Sequence, residues 1–226
     1  MGVFDKSVRV AIAGASGTGK TTIAAALQAR FDLPLNPVGA RSTAKALGFD
    51  KVYDIDDASM DVYSQFVEAG FTPQEAASKS MGVRGNPTVR RLFQRKLQAE
   101  KIAWENAHAH FVTDRSIVDD LVYTVMHDSL GLTNEYLKRS EKHLKTIDVL
   151  LVTPIQAFQN LGDDPMRVKE PAYHETYERI LGAFLADWRG VDSIHFAVSS
   201  GADERCRWAI DAVLDHIDPL RNSDLR

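Results

Sequence analysis

One short stretch, Gly14–Thr21, limits the fold of this chain more than any other. It reads Gly-Ala-Ser-Gly-Thr-Gly-Lys-Thr. It satisfies the pattern G-x-x-x-x-G-K-[ST], in which backbone N–H groups converge on the phosphates of a nucleotide. Three glycines in eight residues allow the tight, side-chain-free turn that this convergence needs. Lys20 then supplies a positive charge for the terminal phosphates, and the Thr21 hydroxyl is suited to ligate Mg²⁺. We call residues 14–21 the phosphate loop.

The residues on either side of the phosphate loop favour the same interpretation. Val8–Ala13 is apolar and predicts a buried strand, whereas Thr22–Ala29 predicts a helix whose N-terminal dipole faces the phosphates. We therefore expect ATP to contact every residue from the loop's start to the first turn of that helix: Gly14, Ala15, Ser16, Gly17, Thr18, Gly19, Lys20, Thr21 and Thr22.

Strand and helix patterns alternate along the rest of the chain, which predicts an α/β fold with a doubly wound parallel sheet flanked by helices. Further strands are predicted within 32–38, 111–114, 147–152 and 193–198. Helices are predicted over 39–47, 58–69, 73–81, 87–110, 117–127, 134–145, 172–188 and 203–216. The pattern predicts a single domain over residues 1–220, with a helical insertion at about 50–86, a lid loop at about 160–171 and a tail at 221–226.

Composition excludes several other classes of protein. The net charge of −4 makes nucleic-acid binding unlikely without excluding it, and the single cysteine, Cys206, fits a reducing compartment. No apolar run reaches about 18 residues and no apolar core of a signal peptide precedes Val8, so we expect a cytoplasmic protein with no membrane partner.

Polar residues that follow the predicted strands form the candidate site, because ligands of such sheets gather at the carboxyl ends of the strands. Asp114 ends a strand and is expected to hold Mg²⁺ together with Thr21; the alternative is a helix N-cap. Arg115 is expected to bind the phosphate or the base edge of an acceptor; the alternative is a surface arginine paired with Asp119 or Asp120.

Other cations extend this candidate site. Arg41 follows the second strand and is a candidate clamp for an acceptor phosphate, or else a helix-surface residue. Arg167 and Lys169 lie in the lid loop, where they would close over the transferring phosphoryl group unless the loop is only a solvated surface. Gln94 is a candidate for hydrogen bonding to a base edge. It lies among cations that either line the acceptor site or form a solvated helix face: Arg84, Arg90, Arg91, Arg95 and Lys96.

The combination of the phosphate loop, Asp114-Arg115-Ser116 and Asp164-Pro165-Met166-Arg167 resembles the P-loop nucleoside and nucleotide kinases. It looks most like the branch of deoxynucleoside kinases, thymidylate kinases and nicotinamide riboside kinase domains. The resemblance implies ATP and Mg²⁺ as cofactors, catalytic roles for Lys20, Asp114, Arg115 and Arg167, and a possible homodimer. It also implies an adenine-contacting loop at Ser199–Ala202, with Ser200 and Gly201 against the nucleotide.

One departure from that resemblance affects the acceptor. Deoxynucleoside kinases generally place a carboxylate after the second strand, but residues 36–41 here contain none. A monophosphate acceptor attacks through an anionic oxygen and needs cationic clamps instead of a base. The sequence thus favours a (deoxy)nucleoside monophosphate kinase, although Asp56, Asp57, Asp61 or Asp119 would supply a base for a nucleoside.

Three other functions stay open. The acceptor would be a (deoxy)nucleoside or nicotinamide riboside, or it would be a nucleic-acid end or a modified DNA base. The chain would alternatively be a regulatory nucleotide-binding switch. A GTPase is not expected without an Asn-Lys-x-Asp motif, nor is an AAA-type motor in so short a chain.

Overall fold

A parallel sheet with helices on both faces forms the centre of the molecule. The computed structural model describes residues 6–83, 88–127, 132–155, 170–187, 194–198 and 201–218. Its strands are β1 (Val8–Ala13), β2 (His110–Asp114), β3 (Val149–Val152) and β4 (Ile194–Phe196), in the spatial order β2-β1-β3-β4. All three pairings are parallel, which confirms the predicted α/β class.

The predicted second strand, 32–38, forms only a bridge at the sheet edge. Leu35 pairs with Val112 of β2, the Asn36 N–H donates to the Val112 carbonyl at 2.9 Å, and the Val112 N–H donates to Pro34. Pro34 and Pro37 have no N–H to extend this ladder, so the pairing is limited to a single bridge. The segment still delivers the following residues to the carboxyl edge of the sheet.

The helices connect these strands in the predicted order. Their bounds are α1 Lys20–Phe31, α2 Ala40–Ala46, α3 Met60–Glu68, α4 Pro73–Ser80, α5 Arg90–Asn106, α6 Ile117–His127, α7 Asn134–Leu144, α8 Pro171–Asp187 and α9 Ala202–Ile217, with a 3₁₀ helix at Val52–Asp57. The largest boundary difference is in α5, which was predicted to run from Pro87 to about His110. His110 instead begins β2 and packs in the sheet, and Pro87 lies outside the described residues.

Alternate side chains of each strand face opposite sides of the sheet and build two cores. Ala11 of β1 and Leu150 of β3 pack toward α6, α7 and α8, whereas Val10 and Leu151 pack toward α1 and α9. Burial on both faces explains why the strands are continuous apolar runs. None of the described helices has the length and hydropathy to span a membrane.

The region between α2 and α5 has a third core of its own. Leu47, Phe49, Ile55, Tyr63 and Phe93 belong to it, so α3, α4 and the 3₁₀ helix pack against one end of α5. Gly48 is essential to this packing because it adopts φ +85°, and a Cβ there would approach the Pro73 carbonyl oxygen at 2.3 Å. This region therefore forms one wall over the carboxyl edge of the sheet.

Candidate functional site

The phosphate loop leaves β1 and runs directly into α1. Gly14, Gly17 and Gly19 have φ values of +149°, +81° and +86°, which side chains disfavour. At Gly14 a Cβ would also meet the Thr153 hydroxyl oxygen at 2.3 Å. The helix begins at Lys20, so the positive end of its dipole faces the loop, and no acidic residue in its first turn neutralises that end.

Short hydrogen bonds hold the loop in this shape. The Thr18 hydroxyl donates to the Ala15 carbonyl at 2.9 Å and lies 2.7 Å from the Thr153 hydroxyl. The Lys20 ammonium donates to the carbonyls of Gly14 and Ala15 at 2.8 and 2.6 Å. Ala15 and Thr18 are fully buried in this conformation.

Thr21 and Asp114, the two residues predicted to organise a metal, lie next to each other. The Thr21 hydroxyl donates to Asp114 Oδ2 at 2.5 Å, because β1 and β2 are neighbours and both end at this edge. A hydroxyl and a carboxylate oxygen are ligands that suit Mg²⁺, which keeps several waters and binds substrate phosphates as well. Asp114 was also a candidate N-cap, but at the start of α6 it is the Ser116 hydroxyl that accepts a backbone N–H, that of Val118 at 3.1 Å.

Arg115 points from the end of β2 toward the phosphate loop. Its guanidinium donates to the Tyr123 hydroxyl at 3.0 Å and to the Ser16 hydroxyl at 3.3 Å, and it lies 5.3 Å from the centre of the Tyr123 ring. Burial by itself would lower the pKa of Arg115, but Tyr123 and Asp119 raise it above its ordinary value, so the guanidinium stays charged. These bonds join Arg115 to α6 and to the phosphate loop, and the charge of Asp119 also acts on it.

A cavity of about 530 Å³ adjoins the loop and contains the predicted acceptor residues. Arg41, Gln94 and Arg115 all line it, together with Ser16, Thr21 and Asp114. Arg41 is exposed, whereas Gln94 is only 3% exposed. The fold thus places side chains from α2, α5 and the β2 end around a single volume.

Gln94 has a hydrogen-bonding atom left over inside this wall. Within the described part of the chain, its buried Oε1 has no hydrogen-bond partner. An unsatisfied buried carbonyl oxygen costs about 1–3 kcal/mol, a cost that a ligand N–H would remove. Phe93, the preceding residue, also lines the cavity and offers an aromatic surface.

A buried ion pair lies in the same wall, and sequence reasoning did not find it. Lys101 Nζ and Asp120 Oδ2 are 2.8 Å apart, and both side chains are 2% exposed. Burial raises the pKa of Asp120 to about 6 despite the opposing effect of Lys101. The helix pattern gave no signal for this pair, because Lys101 and Asp120 look like solvated residues until α5 and α6 pack together.

Arg90 lines the cavity and is not part of a solvated helix face, the other interpretation that the sequence allows. Arg90 is 3% exposed and binds Asp56 through two hydrogen bonds of 2.7 and 2.6 Å. Its backbone lies at the start of α5, where the 3₁₀ helix folds over it. Asp56 is therefore engaged with Arg90, and Lys96 pairs with Glu100 at 2.7 Å on the helix surface.

Arg205 of α9 is a second residue that sequence reasoning missed. It is 2% exposed and donates to the Thr18 carbonyl. A Cβ added at Gly19 would lie only 3.0 Å from the Arg205 guanidinium, so the glycine leaves room for this side chain. Gly201, a predicted ATP contact, precedes α9 and accepts the Arg205 N–H at 3.0 Å. This links the chain after β4 to the phosphate loop. Ser200, Arg167, Lys169 and Arg84 lie outside the described residues.

A parallel sheet with a glycine loop between its central strand and the next helix defines the P-loop nucleoside triphosphatase class of fold. A family model described as "AAA domain" matches residues 9–195. The chain therefore belongs to the AAA-domain family.

Solved structures of similar fold include P-loop kinases. NadR in complex with NR aligns with a TM-score of 0.51 and 19% identity over 94% of this chain and 51% of that chain. NadR in complex with NAD and AMP-PNP aligns with a TM-score of 0.50 and 19% identity over 93% and 49%. Deoxyadenosine kinase from M. mycoides, with dCMP and dCDP, has a TM-score of 0.48 and 11% identity over 93% and 98%.

The chain thus spans about half the length of the NadR chains it matches. A search of curated proteins finds no match. At these identities the likeness concerns the fold, and it confirms the P-loop kinase-like architecture expected from the sequence.

Proposed function

We propose that this protein transfers the γ-phosphoryl group of ATP to a nucleoside monophosphate, with Mg²⁺ as the metal. The observation that carries the proposal is the cavity that joins the phosphate loop to Arg41, Gln94 and Arg115. A loop that only hydrolyses or senses a nucleotide has no need of a second, polar and aromatic volume beside it. A transferase needs one for its acceptor.

The donor half would consist of the phosphate loop, the Thr21–Asp114 pair, the lid loop and the loop that precedes α9. Loop amides and Lys20 would bind the donor phosphates, and Thr21 with Asp114 would hold Mg²⁺, which neutralises charge on the transferring group. Ser200 and Gly201 would contact the adenine, and Arg167 would stabilise the transferring phosphoryl group from the lid loop. Binding energy spent in this way orients the donor for an in-line displacement.

The acceptor half would hold an anion and a base at opposite ends. Arg115 and Arg41 would grip the acceptor phosphate, since guanidinium groups bind phosphate through paired hydrogen bonds. The Gln94 amide and the Phe93 ring would contact the base. Asn36, where related kinases place an acid, donates to Glu105 at 2.9 Å instead. A monophosphate needs no base in that position.

A nucleoside acceptor is the second candidate, and Asp120 is the observation that favours it. This carboxylate lines the cavity, so it offers a proton acceptor for a sugar hydroxyl that the sequence did not identify. The fold of NadR, whose structure contains NR, is compatible with a nucleoside-sized ligand. A DNA end, a modified DNA base and a regulatory switch remain further alternatives.

The experiment is ADP release from Mg·ATP in the presence of nucleosides, nucleoside monophosphates, nicotinamide riboside and DNA ends. We expect one or more monophosphates to stimulate turnover. Stimulation by nucleosides alone would replace the acceptor assignment, and ATP binding without stimulation by any acceptor would favour the switch.

Arg41→Ala makes the same experiment sharper. It should raise KM for a monophosphate by about tenfold, because one charge-assisted contact is lost, and leave KM for a nucleoside unchanged. Arg139→Ala, on α7 and away from the cavity lining, is the control.

A homodimer and a cytoplasmic location also remain predictions, to be checked by light scattering and by cell fractionation.

A further inference from the structure

Asp119 is a buried carboxylate to which the proposed reaction assigns no role. It lies in the first turn of α6, is fully buried, and is not part of the cavity lining. A charge in such a place is costly unless hydrogen bonds compensate it, so its partners indicate what it does.

One oxygen of Asp119 holds the residue that follows Arg115. Oδ2 accepts the Ser116 N–H at 2.7 Å and the Ser116 hydroxyl at 3.1 Å. Arg115 itself has φ +113°, a backbone conformation that costs a non-glycine residue about 1–3 kcal/mol. The bonds to Ser116 hold the backbone directly after Arg115, and they thereby keep the Arg115 guanidinium directed at the cavity.

The other oxygen of Asp119 holds the start of the phosphate loop. Oδ1 accepts the Gly14 N–H at 3.0 Å and the hydroxyl of Tyr177 from α8. Burial and the neighbouring Asp119 raise the pKa of Tyr177 well above its ordinary value, so the hydroxyl keeps its proton and donates. One carboxylate thus joins the donor loop, the acceptor arginine and α8.

Packing between α6 and α8 keeps Tyr177 in this position. The rings of Tyr123 and Tyr177 have their centres 5.2 Å apart, and one turn further His127 Nε2 lies 2.9 Å from the Tyr173 hydroxyl. Tyr123 is also the hydroxyl partner of Arg115. The residues facing Asp119 therefore belong to one connected aromatic and polar contact between two helices.

We propose that Asp119 and Tyr177 are positioning residues that hold the donor loop and the acceptor arginine in one fixed relation. For Arg115 this inference rests on the proposed function; for Gly14 it requires only nucleotide binding. Reactive groups need support of this kind, because a displacement of about 1 Å costs about a hundredfold in rate.

The test compares two buried tyrosines. Tyr177→Phe removes the hydroxyl that binds Asp119, and Tyr63→Phe is the matched control. Tyr63 is 4% exposed and donates to the Leu47 carbonyl at 3.0 Å inside the helical insertion. Both variants lose one buried hydrogen bond, so both should unfold at a slightly lower temperature.

Affinity for a fluorescent ATP analogue, measured without any acceptor, is the first readout. Tyr177→Phe should weaken it by about threefold to tenfold through Gly14, while Tyr63→Phe leaves it unchanged. Equal affinities in the two variants would overturn the proposal. This readout does not depend on finding an acceptor, so it separates failure of the positioning proposal from failure of the kinase proposal.

A double-mutant cycle on kcat is the second readout. With the best acceptor, Tyr177→Phe should lower kcat by about tenfold or more in the wild-type background. In the Arg115→Lys background the same change should have less than about a twofold effect, because the arginine that it positions is already gone. Additive effects in the cycle would overturn the connection to Arg115.

Discussion

The two halves of the site are built in different ways. The donor half is eight consecutive residues whose backbone adopts a particular shape, with three glycines at positive φ. The acceptor half is made of side chains from α2, α5, α6 and the end of β2, which lie far apart in the sequence. Local backbone chemistry thus suffices for the first half, whereas the second exists only once the helices pack. Substitutions in the two halves should therefore differ in what they change.

Lys20→Ala should have the largest effect, because it removes the only side-chain charge of the phosphate loop. We expect kcat/KM to fall by about a thousandfold or more, the magnitude associated with electrostatic groups acting on the transferring phosphate. Circular dichroism should show an intact fold. Lys145→Ala, which breaks an exposed pair with Glu141, is the control and should keep full activity. Substantial turnover by Lys20→Ala would remove the phosphate loop from the mechanism.

Asp120→Asn should change how stability depends on pH. The folded pKa of Asp120, about 6, lies above the ordinary value of 3.8. The folded state therefore binds this proton more tightly, and its contribution to stability is full below about pH 4 and lost as pH rises through about 6. The wild type should lose up to about 3 kcal/mol relative to the variant across this range, at about 1.4 kcal/mol per pKa unit.

Urea unfolding of both proteins between pH 4 and 7 would measure this difference. The donor half offers a contrast, because neutral backbone amides supply most of its polar groups and do not titrate. If the free energies of unfolding of wild type and Asp120→Asn changed with pH in the same way, the pKa of Asp120 would not be raised.

Gln94→Leu should have the smallest effect of the three, and it has a matched partner one turn along the same helix. Removing Oε1, to which none of the described residues donates, should leave stability unchanged or raise it, while acceptor KM rises about tenfold for the loss of one hydrogen bond to a base. Gln98 is 1% exposed and donates to the Ser140 hydroxyl at 2.5 Å, outside the cavity lining. Gln98→Leu should therefore lower stability and leave acceptor KM alone. The opposite pattern would place the acceptor elsewhere.

Prediction from sequence succeeded where the signal is short-range. The bounds of β1 and α6 agree with the prediction residue for residue, because apolar strands and capped amphipathic helices carry their own pattern. The same reasoning could not choose between a solvated and a site-lining position for Arg90, since an arginine at the start of a helix resembles a surface residue until Asp56 folds over it. For Asp119 the sequence suggests only a base or a surface partner of Arg115. Its bonds in the structure reach Gly14, 105 residues away, and Tyr177, 58 residues away, so no local pattern indicates them.

The pattern of residues along the chain suffices to predict the parallel sheet, the phosphate loop and the approach of Thr21 to Asp114. These follow from buried strands, from glycines at fixed spacing and from the rule that parallel strands end at one edge. Which charges are buried, which carboxylates face the cavity and which tyrosine supports the loop depend on how the helices pack. Desolvation and hydrogen bonding between distant segments set those properties, and neither is encoded in the spacing of residues along a chain.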